Sequence, residues 1–260
     1  MGQFQRMSGV AMAAPISGIE GGSLPLKYIP AVGEKLPSTV QAAPAAQAIV
    51  NAVVPRPGQN FLTFTLRFIK AGDAQLWAGS APITKQSDAV AIKVLAAVAW
   101  PPAGTQADAL QRLFLAETPA PGNVGYTDAN AEKAMTWMLI VLRNRLAKAS
   151  AQVGSEGAKT IIDVLRAKNQ FEGFSSYPIL SAKVAGLLSA KLAIANDPSD
   201  TRSDAMRRFF AIAARVSALT QASDPCQTGL YFWRTQGSGA PSADTTAFAT
   251  LLGNTFYTLK

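Results

Sequence analysis

The sequence predicts a predominantly α protein with a small β-containing region at its N-terminus. From about residue 87 onward the apolar residues recur with a helical period, whereas the one clean period-two alternation lies at 61–69. The chain of 260 residues is 48% apolar and only 15% charged, so it has the means to bury a sizeable core and is not a disordered, highly charged chain.

Taken in order, residues 1–58 are rich in Gly, Pro and Ala, and GGSLPLKYIPAVGEKLP reads as extended or irregular. QAAPAAQAIVNAVV (41–54) reads as a short helix after Pro44. FLTFTLRFI (61–69) sets Leu62, Phe64, Leu66 and Phe68 on one side and Thr63, Thr65 and Arg67 on the other, a half-buried strand. The AGD and AQLWAG that follow suggest a hairpin return. SDAVAIKVLAAVAW (87–100) reads as a helix with a Ser/Asp start and a Pro-Pro stop. ADALQRLFLAE (107–117) carries Leu110, Leu113 and Phe114 on one face and ends before Thr-Pro. TDANAEKAMTWMLIVLRNRLAKAS (127–150) is the strongest helix, with a Thr/Asp cap and a stripe of Ala131, Ala134, Met135, Met138, Leu139, Leu142 and Leu146. Further helices are expected at about 158–168, 180–196, 202–222 and 242–252. The division that follows is an N-terminal region, 1–104, partly irregular with a β-hairpin and suited to delivery or docking, and a helical domain, 105–260.

Composition excludes more than it suggests. There is no histidine and a single cysteine, Cys226, which rules out a Ser-His-Asp triad, a Cys-His pair, a His- or Cys-built zinc site and an intramolecular disulfide. No GxxxxGK[ST] phosphate loop and no GxGxxG opening a helix occurs. No metal and no cofactor is therefore expected, and catalysis must rest on carboxylates, hydroxyls, amides or Lys. Twenty-four Lys and Arg against sixteen Asp and Glu favour anionic partners: nucleic acid, lipid head groups, or the acidic polymers and peptides of a cell wall. The basic residues form no dense tract: Arg143 with Arg145 and Arg207 with Arg208 are isolated pairs that read as solvated helix faces, so nucleic acid is not expected. No apolar run reaches the length of a membrane span, and MGQFQRMSGVAMAAPISGIEGG is a poor match to a secretory signal.

Among the sixteen carboxylates, Glu117 is singled out by position. It closes an amphipathic helix, where the negative end of the dipole disfavours its charged form, and the preceding Leu113, Phe114, Leu115 and Ala116 imply an apolar setting that raises its pKa. A carboxylic acid that keeps its proton near neutral pH can protonate a departing glycosidic oxygen. The plain alternative is an exposed Glu at a helix end.

The order LFLAETPAPGN, a capped long helix ending MLIVLRNRL, and then VLRAKNQFEGF resembles the SleB-type cell-wall hydrolases, the spore cortex-lytic enzymes. In that family an acidic residue at a helix end precedes a helix closing in V-x-N-R, and a Gln-Phe pair follows a short helix. Here these are Glu117, Asn144-Arg145 and Gln170-Phe171. GLYFW (229–233) and LLGNTFY (251–257) resemble the family's strand-like segment and its closing I-G-x-H-x-F-Y, with the His missing. The family's Glu sits in A-E-A-R-G-E, whereas here Glu117 is followed by Thr118-Pro119. The resemblance covers about residues 107–260 and marks a divergent member.

The resemblance implies a lysozyme-like helical catalytic domain that cuts peptidoglycan between MurNAc and GlcNAc as a lytic transglycosylase or muramidase. Glu117 would be the catalytic acid/base. Gln170 would bond an N-acetyl group or hydroxyl with Phe171 beneath it, and Tyr126, Tyr231 and Tyr257 would line a sugar groove. Asp128 is the candidate second acid, although an N-cap is its simpler reading; without a second acid, a single-acid lytic transglycosylase fits better. Action in the periplasm or cell wall without a standard signal suits a type VI secretion effector or a phage lysis enzyme. The partners implied are peptidoglycan and, for an injected toxin, an immunity protein or a secretion-machine component. The alternative is a non-catalytic glycan-binding or structural part of such a machine.

Overall fold

Three stretches that read as helices, 41–54, 87–100 and 242–252, contain strands instead among their described residues. A computed structural model describes residues 2–55, 58–80, 89–168 and 170–260. Among the described residues there are five helices and eleven strands in three sheets, with 29% helix and 27% strand. The chain is therefore mixed α/β, and the expectation of a predominantly α, lysozyme-like helical protein is overturned. It divides into two compact units: Met1–Ala97 with Asn196–Asp200, and Val98–Ala195 with Thr201–Lys260.

The first unit is all β. Its strands are β1 (Gln3–Arg6), β2 (Ile16–Ile19), β3 (Ser23–Ile29), β4 (Val40–Ala43), β5 (Ala48–Pro55), β6 (Leu62–Phe68), β7 (Gly72–Ala78) and β8 (Val90–Leu95). They form two four-stranded sheets, ordered β1-β3-β6-β5 and β2-β8-β7-β4, the second containing the parallel pair β2–β8. Leu26, Tyr28, Phe64 and Leu66 from the first sheet and Ile16, Leu76, Ile92 and Val94 from the second share one core. The expected strand at 61–69 is β6, with the expected face buried.

The expected hairpin return is corrected: β7 does not pair with β6 but crosses to the other sheet, between β8 and β4. The expected helix at 41–54 is two strands, because Pro44 breaks the segment and Ile49, Val50, Val53 and Val54 carry β-branched chains suited to a pleated surface. At 90–95, Ile92 and Val94 alternate inward with Ala91 and Lys93 outward, so the apolar run is a strand; the expected cap at 87–88 lies outside the described residues.

The second unit combines α1 (Gln106–Glu117), α2 (Asp128–Lys148), α3 (Ile161–Arg166), α4 (Ala182–Ala195) and α5 (Ser203–Ser217) with β9 (Leu230–Thr235), β10 (Thr245–Leu251) and β11 (Asn254–Leu259). The strands form one antiparallel sheet ordered β10-β11-β9. Capping sets the helix starts: the hydroxyls of Thr105, Thr127 and Thr160 accept from the N–H groups of Asp108, Asn130 and Asp163. α2 buries the expected stripe except the half-buried Leu146, and also Trp137, Ile140 and Val141, so its middle turns, 137–142, are buried on every side. Such a helix is stable only at the centre of its unit, and α2 packs against α5, β9, α3 and α1. The expected helix at 242–252 is β10, which turns into β11 through Leu252 and Gly253 at φ 46° and 71°, the positive pair a two-residue hairpin requires.

Candidate active site

Glu117 is the last residue of α1, and Thr118 leaves the helix in an extended conformation at φ −94°, ψ 130°. The ring of Pro119 disfavours an α conformation at the residue before it, so the helix stops there. The end is then held by the sheet. Asn254 of β11 donates its side-chain amide to the Glu117 carbonyl at 3.1 Å, and Trp233 of β9 donates its indole N–H to the Glu117 carboxyl at 3.3 Å. In LLGNTFY, Asn254 stands where the similar motif has its His.

The carboxyl of Glu117 opens into a cleft of about 730 Å³ that is also lined by Arg145, Gln170, Phe171, Glu172 and Trp233. Burial raises its pKa above the ordinary carboxyl value; the Trp233 bond lowers it, the charge of Glu172 raises it and that of Lys191 lowers it, leaving a net upward shift. Lys191 of α4 is itself buried, with its ammonium donating to the Leu115 carbonyl and lying 5.4 Å from the Phe209 ring centre. Burial pushes its pKa down to about 8, against the opposing pull of Glu117.

Arg145 builds the opposite side of the constellation. It lies near the end of α2, 4% exposed, and donates from Nε to the Tyr231 carbonyl at 2.6 Å and from Nη1 to Gln170 Oε1 at 2.9 Å. The first bond exists because β9 bulges: Phe232 pairs with Tyr257 and Leu230 with Thr258, leaving Tyr231 without a partner in the ladder. The second fixes Gln170 on the segment after α3. Gly154, at φ +67°, lets Gln170 lie close, since a Cβ there would meet the Gln170 amide nitrogen at 2.4 Å. Phe171 then packs on Trp233 with ring centres 5.1 Å apart and planes at 35°. Asn144, the neighbour of Arg145, bonds Asp224 at 2.7 Å and the Leu230 carbonyl at 2.9 Å, tying α2 to the start of β9.

The structure thus brings Glu117, Gln170 and Phe171 together, and separates them from the other expected site residues. Asp128 is not a second acid of this cleft. It opens α2, seventeen residues before Arg145, and the helix rise separates those two positions by about 25 Å. Its carboxylate is engaged with Arg208 at 2.8 Å and the Tyr126 hydroxyl at 3.1 Å. Nor is it the N-cap, which is Thr127. Tyr126, so bonded, packs edge-on against Phe209 of α5 rather than lining the cleft. Tyr257 pairs with Phe232 and shares a small cluster with it, Val153 and Tyr231, on the face opposite Trp233 and Phe256. Tyr231 lies under the Lys148 ammonium at 5.6 Å. None of the three tyrosines lines the cleft. Trp233 and Glu172 are the members that sequence reading leaves out, while Arg145 belongs to the Asn144-Arg145 pair it names, without the partners the pair would meet. GLYFW marked a strand near Trp233, and Glu172 directly follows Gln170-Phe171, so the second could have been found by looking beside the motif. The Arg145 bonds leave no local signal.

Among the described residues no helix is long and apolar enough to cross a membrane, and no cluster of His, Cys, Asp and Glu suited to a metal ion occurs. No protein-family model matches the chain, and no curated protein matches it. Solved structures with local likeness are domains 4 and 5 of the S-layer protein SbsC, at 19% identity and TM-score 0.23, covering 32% of this chain and 48% of that one. A structure of surface layer protein SbsC domains 1–6 matches at 19% identity and TM-score 0.24, covering 36% of this chain and 13% of that one. This chain spans less than half of either, and at such scores the likeness carries no argument about fold or function.

Proposed function

We propose that the second unit cleaves peptidoglycan glycan strands between MurNAc and GlcNAc, with Glu117 as general acid and then general base. The observation that carries this reading is a cleft in which one desolvated carboxyl sits beside a stacked aromatic pair and an anchored side-chain amide. Burial raises the pKa of Glu117 above the ordinary carboxyl value, the direction a general acid requires. Phe171 and Trp233, both largely buried, line the cleft with the small part of each ring left exposed, an apolar wall against which a sugar ring would pack, and Gln170 retains its amide N–H₂ for an N-acetyl carbonyl while Arg145 holds its oxygen.

The route proposed is that of a lytic transglycosylase. The Glu117 proton passes to O4 of GlcNAc as the C1–O4 bond breaks and its electron pair stays on O4. The C6 hydroxyl of the same MurNAc then bonds C1 and returns its proton to Glu117, closing a 1,6-anhydro ring. In this reading the target is the wall, reached by injection or as part of a phage, with an immunity protein as the partner of an injected toxin. The β unit is then the docking or delivery element.

The test is incubation with purified peptidoglycan and mass spectrometry of the released muropeptides. Anhydro-ended fragments from the wild type, with a loss on the order of 10²–10⁴-fold in Glu117→Gln, support the reading. Reducing ends would make the enzyme a muramidase. Binding to peptidoglycan without products would replace catalysis with the glycan-binding alternative, and full activity in Glu117→Gln would sink the assignment of the acid.

A further inference from the structure

We propose that Glu172 is the second carboxylate of this cleft, facing the reacting sugar with Glu117 and supplying the negative charge that stabilises the positive charge developing at C1 of MurNAc. The proposal rests on the glycan-cleaving reading above and assigns a role that reading leaves vacant.

Three observations meet on this residue. Glu172 lines the same cleft as Glu117 but comes from a different segment, immediately after the anchored Gln170 and the stacked Phe171. The segment is thus fixed on its N-terminal side by a bond to a buried arginine and by an aromatic contact. Secondly, its carboxylate is held at the surface by the Lys183 ammonium at 2.8 Å, with both side chains largely exposed, so substrate has access to it. Thirdly, Glu117 and Glu172 are the acidic residues among the described residues that line this cleft, whereas the carboxylates that flank the ends of α1 and α2 do not line it and have partners of their own. Asp108 is buried on the Tyr177 hydroxyl and Arg112, Asp128 pairs with Arg208, and Glu132 pairs with Arg215. Asp224 is committed to Asn144 and to the backbone of Cys226 and Leu230.

The chemistry asks for a charge of this kind. Glycosidic cleavage passes through an oxocarbenium-like state, and a carboxylate close to C1 stabilises that state more than the neutral ground state. Glu172 forms no bond and moves no proton here: the proton still travels from Glu117 to the leaving oxygen and back from the C6 hydroxyl. A second consequence follows from like charge. An anionic Glu172 opposes ionisation of Glu117 and so helps keep the acid protonated. Among the positive groups nearby, Lys191 from α4 opposes that effect on Glu117, Lys183 pairs with Glu172, and Arg145, Lys168 and Arg234 line the same cleft.

The test compares wild type, Glu117→Gln, Glu172→Gln and Glu172→Asp for kcat and KM on solubilised glycan strands across a pH series. Glu172→Gln is expected to lose on the order of 10²-fold in kcat with KM changed little, since the interaction is made in the transition state. Its alkaline limb moves to lower pH, because removal of the negative charge lets Glu117 ionise more readily, and Glu172→Asp recovers part of the loss. The residue is exposed, so an unchanged unfolding curve for Glu172→Gln is expected and ties the loss to chemistry. Wild-type kcat in Glu172→Gln alongside an inactive Glu117→Gln overturns the proposal and leaves the acid assignment standing, as does a loss confined to KM. An inactive wild type overturns the glycan reading, and this proposal with it.

Discussion

Arg145 carries the strongest stability prediction, because its net contribution is a difference between large opposed effects. Burial holds its pKa down at about 10, well below the ordinary guanidinium range, which corresponds to roughly 3 kcal/mol against the charged form. Against this stand two charge-assisted hydrogen bonds, to the Tyr231 carbonyl and to Gln170, each worth about 1.5–3 kcal/mol. The guanidinium also lies 4.7 Å from the Phe232 ring centre and 5.5 Å from that of Phe171, adding about 1 kcal/mol each. In Arg145→Met the desolvation cost disappears and much of the packing remains. The Tyr231 carbonyl, unpaired in the ladder, is left without its donor, whereas half-buried Gln170 can turn to solvent. The expected result is a net destabilisation of about 2 kcal/mol. Arg145→Lys should do no better, since an ammonium keeps the desolvation cost but cannot span both acceptors as the planar fork does. Urea unfolding followed by tryptophan fluorescence reads chiefly this unit, since Trp100, Trp137 and Trp233 belong to it and Trp77 alone to the other. An unchanged or raised midpoint for Arg145→Met, or rescue by Arg145→Lys, would refute the balance described here.

Three further outcomes follow from the same geometry. For Glu117, whose folded pKa is raised, the penalty on the charged form is absent below the ordinary value of 4.5, develops as pH rises through the folded pKa and is constant above it. Glu117→Gln should therefore unfold at a higher denaturant midpoint than wild type at neutral pH and at the same midpoint in acid; equal midpoints at both would deny the desolvation. Lys191→Met removes a positive charge that favours ionisation of Glu117, so the alkaline limb of kcat/KM should move to higher pH. Its stability at neutral pH should change by no more than about 1–2 kcal/mol, because the lost bond to the Leu115 carbonyl is offset by an ammonium no longer held down to a pKa of about 8. Ala149 ends α2 at φ 40°, ψ 46°, the left-handed region that a Cβ disfavours. Ala149→Gly is expected to raise stability by about 0.5–1 kcal/mol in the same unfolding assay, and a loss would show that the strain is absent.

The helices were legible where punctuation and period agreed. The Thr127 cap at the start of α2 and Pro119 after Thr118 at the end of α1 were read from the sequence, and both act locally, as does the Thr105 cap of α1 that was not read. The missed strands lacked that agreement. In β5 the register slips between Asn51 and Val54, with Ala52 at φ 53°, so the alternation that would mark a strand is interrupted. In β8 a run of Ala, Val, Ile and Leu satisfies both periods, and only its place between β2 and β7 decides. In β10, TTAFATL has no alternating buried face, because its pairing with β11 rather than an apolar stripe holds it. A strand is completed by a partner distant in sequence, and the period of one segment does not reveal that partner.

The same distinction explains the site. Glu117 was legible because a helix terminus is a local event, and the Gln170-Phe171 pair because it belonged to an ordered series of motifs. What surrounds them is set by contacts across 25 residues for Arg145 and Gln170, 116 for Trp233 and Glu117, and 137 for Asn254 and Glu117. The tyrosines failed as groove residues for a reason the pleat makes explicit. Adjacent residues of a strand point to opposite faces, so Trp233 and Phe256 turn toward the helices while Phe232 and Tyr257 turn away. With Phe171 stacked on Trp233, the aromatic surface next to the acid is a tryptophan–phenylalanine pair rather than a tyrosine one. The pair also couples recognition to chemistry, since the indole that Phe171 packs against is the one whose N–H reaches the Glu117 carboxyl. In the proposed reading, a sugar settling at that pair would bear on the position of a donor whose hydrogen bond lowers the Glu117 pKa against the larger, upward effect of burial.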